Sequence, residues 1–176
     1  ISGAVKSEWG IVQDQMRLAF HCAFDEIITE VVDRLPNPFA LVDGTYGLTR
    51  NGPMIEGETV DLGWVAGADD LWLADAVLCR IMDVPLRSVA HLRYGLDRGR
   101  VPALDAAELP EDLDEFLDDR FYLKRNLWNR VAKLTWYSPR LNHLVYFSGA
   151  SSALHKVMYS IREKPDELSA RGVDWD

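Results

Sequence analysis

From Met16 to Leu35 apolar side chains recur at steps of three and four, at Met16, Phe20, Phe24, Ile27, Val31 and Leu35. That is the period of an amphipathic helix, and Pro36 and Pro38 end it because neither can donate a backbone N–H. Phe39 to Asp43 then reads as a short buried strand, and Val60 to Ala66 as a second. Between them Gly44 to Thr59 carries four glycines and the triplet Asn51-Gly52-Pro53, which predicts a loop of about sixteen residues, long enough to suggest a functional role. Asp69 or Asp70 is placed to cap a helix over Leu71–Met82, and Pro85 opens another that closes near Gly99. Beyond Pro110 the pattern is helical: Asp112 to about Tyr137 as one helix or two, a break at Ser138-Pro139, then Arg140–Phe147 and Ser151–Ile161.

The expected architecture is α/β, a small sheet flanked by helices over residues 1–105, followed by a mostly helical, basic and aromatic extension over 106–176 packed on it. Two strands are few for a self-sufficient sheet. Either weaker strands lie at 1–5 and 101–104, or the chain is a truncated part of a larger domain.

Composition narrows the function. With 48% hydrophobic residues the chain is not disordered, and two cysteines cannot supply the four thiolates of an iron–sulfur cluster or a structural zinc site. No stretch approaches the ~18 uncharged apolar residues of a spanning helix, and no leader pattern opens the sequence, so a cytoplasmic location is expected. The net charge of −9 is unevenly spread. Residues 1–119 hold 9 Lys and Arg against 23 Asp and Glu, whereas 120–162 hold 8 cations and no acid. An acidic, lysine-poor surface of this kind suits a halophilic source. The eight tail cations alternate with aromatics, a mixture that suits an anionic membrane surface or single-stranded nucleic acid. In an acidic chain the expectation is instead that the tail folds back on the acidic part, with nucleic acid the least favoured partner.

Several side chains are placed for chemistry. Asp43 closes a strand where α/β ligands usually sit, so it suits a metal ligand or general base, or else a simple Asx turn. Asp75 shares a helix face with Leu71 and Leu78 and therefore points inward, where burial demands a hydrogen bond from a backbone N–H, an arginine such as Arg80, or a ligand. Asp69 and Asp70 are helix caps, or complete an oxygen-rich divalent-metal site with Asp43 and Asp75. His21, with Arg17 and Asp25 four residues to either side, is an ion-pair member or a general acid or base oriented by Asp25. Lys6 is solvated or contacts a phosphate or carboxylate. His91, His143 and His155 show no ligand spacing, and Cys22 and Cys79 read as buried thiols.

The order Gly3-Ala-Val-Lys6-Ser-Glu-Trp-Gly10, Phe20-His21, Leu41-Val-Asp43-Gly44, Asn51-Gly52-Pro53, Gly67-Ala-Asp69 and Leu73-Ala-Asp75-Ala76 resembles domain of unknown function 362 over about residues 2–100. Ser7 and Trp9 depart from the Asn and Phe usual in that pattern. The resemblance implies the C-terminal part of that domain. It marks Lys6, His21, Asp43, Gly52, Asp69 and Asp75 as site residues, and implies an iron–sulfur protein or a missing N-terminal region as partner; Lys6, Gly44, Asn51 and Gly52 are the expected ligand-binding residues. Two functions follow as expectations. One is an enzyme domain binding a small anionic ligand, with or without a divalent metal, with His21, Asp43 and Asp75 as the catalytic group. The other is a non-catalytic module docking through its basic tail on a protein or membrane surface.

Overall fold

The computed structural model describes residues 3–13, 17–50, 57–122 and 127–161, and the fold is α/β. A short helix α1 (Ala4–Ser7) passes into a 3-10 turn at Glu8–Ile11. A second 3-10 segment, Arg17–Ala23, leads into helix α2 (Phe24–Val32). The single long helix expected here is thus half 3-10, the α form starting only at Phe24. Strands β1 (Ala40–Arg50) and β2 (Gly57–Ala68) pair antiparallel, with Ala40 opposite Ala68 and Arg50 opposite Gly57. Helices α3 (Leu71–Ile81) and α4 (Ala90–Asp97) follow. After a 3-10 turn at Leu113–Phe116 the tail forms α5 (Leu127–Tyr137), α6 (Pro139–Asn142), a π turn at His143–Phe147 and α7 (Ser151–Ile161).

The glycine-rich stretch expected to be a loop is mostly strand. A Cβ on Gly44 would come within 2.3 Å of the Trp64 ring opposite, and one on Gly47 within 2.6 Å of Phe121. These glycines make room for aromatic rings on the face of a hairpin; they do not mark a turn. Asn51, Gly52 and Pro53 lie outside the described residues.

The expected helix over 112–137 is also shorter. Residues 117–122 run across the hairpin, where Tyr122 N donates to Thr49 Oγ1 (3.0 Å) and Thr49 Oγ1 donates to Arg120 O (3.0 Å). Phe121 is buried there. The strand expected at 1–5 is α1 as far as it is described, and 101–104 pairs with no strand among the described residues.

The core lies between α1, α2, α3 and α4, centred on Val5, Ile28, Trp72, Cys79 and Leu92. Gly95 of α4 packs directly under Trp72; a Cβ there would sit 2.4 Å from the ring. The tail returns to this body. Asn142, only 2% exposed, donates from Nδ2 to Leu18 O at 3.0 Å. Trp136 of α5 packs against His21, with ring centroids 5.3 Å apart.

Candidate functional site

Asp70 sets the phase of α3 by accepting from Trp72 N (2.7 Å) and Leu73 N (3.0 Å), an N-cap of the expected kind. Five residues on, Asp75 faces the core and is wholly buried. Its two oxygens accept from Ala4 N at 2.7 Å and Val5 N at 3.0 Å. The carboxylate therefore satisfies amides at the start of α1 that no helical carbonyl reaches. A Cβ on Gly3 would fall 2.0 Å from Asp75 Oδ1, so only glycine permits this approach. The compensation for burying Asp75 is thus backbone N–H; Arg80 pairs with Asp114 instead.

His91 of α4 lies behind the same carboxylate, 5% exposed, with Nε2 4.0 Å from Asp75 Oδ2. That distance is too long for a hydrogen bond, and Nε2 has no hydrogen-bond partner among the described residues. Burial pushes His91 down to about 4, helped by the nearby Lys6 cation, so the ring is neutral at pH 7. Burial raises Asp75, while the Ala4 and Val5 amides pull it back.

A second polar group sits where the tail meets the body. The His21 ring is half-buried between Trp9 (5.4 Å), Phe24 (6.0 Å) and Trp136 (5.3 Å). Its Nδ1 is buried with no hydrogen-bond partner among the described residues, and the same holds for Asp25 Oδ1. Asp25 therefore does not orient the ring through Nδ1. Burial lowers His21; the backbone carbonyls of Arg17 and Leu18 act against it, and the Lys6 and Arg17 cations add to it. Burial raises Asp25, against which Arg93 and Lys133 act in the opposite direction. Four cations drawn from the N-terminal segments, α4 and α5 thus act on one histidine and one carboxylate.

The remaining expected site residues are placed elsewhere. Asp43 is exposed and accepts from Thr45 N (2.9 Å) and Thr45 Oγ1 (2.6 Å), bonds that hold it below the usual carboxylate range. Gly44 is covered by Trp64. Asp43 lies opposite Val65, whereas Asp69 follows Ala68, four positions further along β2 and beside the start of β1. At about 3.3 Å per residue, antiparallel pairing separates the two backbones by about 10 Å or more. Asp75 is meanwhile committed to α1. The expected convergence of Asp43, Asp69 and Asp75 does not form. Among the described residues no group of three or more His, Cys, Asp or Glu is arranged to hold a metal ion.

Residues 1–80 match the family model of Domain of unknown function (DUF362). No curated protein and no solved structure matches the chain. The DUF362 match spans α1, α2, the hairpin and most of α3, and so includes Lys6, His21, Asp43 and Asp75. It stops before His91, which lies behind Asp75, and Trp136, which packs on His21, and before Arg93 and Lys133, which act on Asp25. His91 shows no ligand spacing in the sequence, and nothing there signals its approach to Asp75.

The cysteines differ in a way that can be measured. Cys79 is buried and its thiol is pushed up to about 11 by burial and by Asp75, whereas Cys22 is exposed, contrary to the buried thiol expected. A thiolate-selective disulfide reagent is therefore expected to label Cys22 in the native protein and Cys79 only after unfolding. Equal labelling rates would contradict the packing of α3.

Proposed function

We propose that the chain is an enzyme domain that binds a small anionic ligand at the junction of the 3-10 segment Arg17–Ala23, α4 and α5, with His21 as the group that moves a proton. The observation that carries this reading is the buried His21 ring, whose Nδ1 makes no well-formed hydrogen bond among the described residues, set among aromatic rings in the field of the Lys6 and Arg17 cations. Arg93 and Lys133 act on the neighbouring Asp25. A depressed, half-buried imidazole is a competent proton acceptor near neutral pH, and cations around it favour an anion over a neutral ligand. The aromatic rings limit water at the same place and strengthen the attraction. Asp75 acts at a distance, by fixing the segment that carries Lys6.

The iron–sulfur partner implied by the resemblance enters this proposal as a cluster held by cysteines other than Cys22 and Cys79, which offer two thiols of which one is buried. No helix among the described residues is long and apolar enough to cross a membrane.

Calorimetric titration with inorganic phosphate tests the anion site. Saturable binding is expected, weakened about tenfold or more in the Arg93→Gln/Lys133→Gln double variant and tightened in Asp25→Asn, which removes the competing carboxylate. Binding that is absent, or equal in all three proteins, would remove the basis for the proposal.

A further inference from the structure

A cleft of about 340 Å³ lies between the α1 region and β1, away from the His21 junction. Its lining includes the five consecutive residues 39–43, with Gly3, Ala4, Ser7 and Glu8 across from them. Consecutive strand residues point to alternate faces. A surface lined by all five, and by none from β2, is therefore the outer edge of β1, where backbone N–H and C=O groups face outward. Among the described residues β1 pairs with β2 alone.

Natural sheets blunt such an edge with lysine, proline, a bulge or a covering element. Pro36 and Pro38 stop before residue 39, and the register shift of the hairpin comes only after Gly44. Between them Phe39 and Leu41 are 67% and 74% exposed. The charged residues on the cleft are the carboxylates Glu8 and Asp43, and both bonds from Thr45 fall on Asp43 Oδ1, leaving Oδ2 outside them.

From this we infer that residues 39–43 are a docking edge for an extended segment of a partner protein, one that alternates apolar and basic residues. The partner's backbone would add a third strand beside β1, which is strand addition at a sheet edge. Its apolar side chains would cover Phe39 and Leu41, and its basic side chains would meet Glu8 and Asp43. The volume suits two or three residues, with the rest of the segment lying along the strand. A two-stranded sheet gains most from a third strand, so the same addition would firm the hairpin.

The test uses the whole chain and a fluorescein-labelled hexapeptide, Lys-Val-Lys-Val-Lys-Val, followed by anisotropy. Saturable binding is expected. It should weaken at least tenfold when alternate peptide amides are N-methylated, and several-fold in Glu8→Gln/Asp43→Asn, neither of which is a residue of the hydrophobic core. Equal binding of the methylated peptide would show that no strand is added and would overturn the inference, as would no binding at all. Sedimentation showing a dimer that the peptide cannot enter would assign the edge to a second copy of the chain and also overturn it.

Discussion

Asp75→Ala is expected to cost about 2–5 kcal/mol of folding stability, read as a drop in the urea midpoint at unchanged slope. The reason is that the substitution leaves the Ala4 and Val5 amides buried without an acceptor, each worth about 1–3 kcal/mol. It also opens a cavity beneath Gly3. Asp75→Asn separates these effects. The amide side chain keeps the volume and offers one acceptor, but its NH₂ group faces the second backbone N–H, so roughly half of the loss is expected. The cost concentrates in α1, because α3 retains its Asp70 cap. A loss below about 1 kcal/mol for the alanine variant would show that α1 is held by its apolar contacts alone.

The second large effect is on pH dependence. His91 is neutral in the fold and titrates at about 4, against 6.5 in an unfolded chain. Between those values the unfolded chain binds a proton that the native one refuses, so stability rises with pH across the window. The contribution is complete above 6.5 and is lost as pH falls towards 4. The gap converts to about 3 kcal/mol. His21 is shifted in the same direction. Asp75 and Asp25 have the opposite sign: both are raised by burial, so their contribution is present below the ordinary carboxylate value and is lost as pH rises through the raised one. Urea titrations at pH 7 and pH 4.5 are expected to show strong acid destabilisation in the native sequence. In His91→Leu most of that loss should vanish, leaving the carboxylates to flatten or reverse the slope. An unchanged slope would mean that His91 is hydrated.

What the sequence made legible is what local pattern controls. The inward phase of Asp75 follows from Leu71 and Leu78, the cap at Asp70 from its place before an apolar run, and the start of α6 from Ser138-Pro139, whose serine accepts from Leu141 N at 3.4 Å. Features decided by a distant partner were not legible. Gly44 and Gly47 look like turn residues until Trp64 and Phe121 are seen lying on them. Residues 117–122 have helical composition but are drawn out by Thr49, more than seventy positions away in sequence. The metal reading failed on register and packing: β1 runs on past Asp43 to Arg50, the antiparallel partner carries Asp69 beyond the start of β1, and Asp75 is taken up by the Ala4 and Val5 amides. His21 was found by its neighbours at four-residue spacing, yet the groups that give it meaning, Trp136 and Lys6, come from the tail and from α1.

The most direct measurement of the anion site is the titration of the His21 imidazole itself, followed by nitrogen-15 chemical shifts with and without inorganic phosphate. An anion held beside the ring favours its protonated form. The pKa of His21, lowered in the free protein, is therefore predicted to rise on saturation with phosphate while that of the deeply buried His91 stays where it is. A His21 titration curve that phosphate leaves in place would contradict the proposed function.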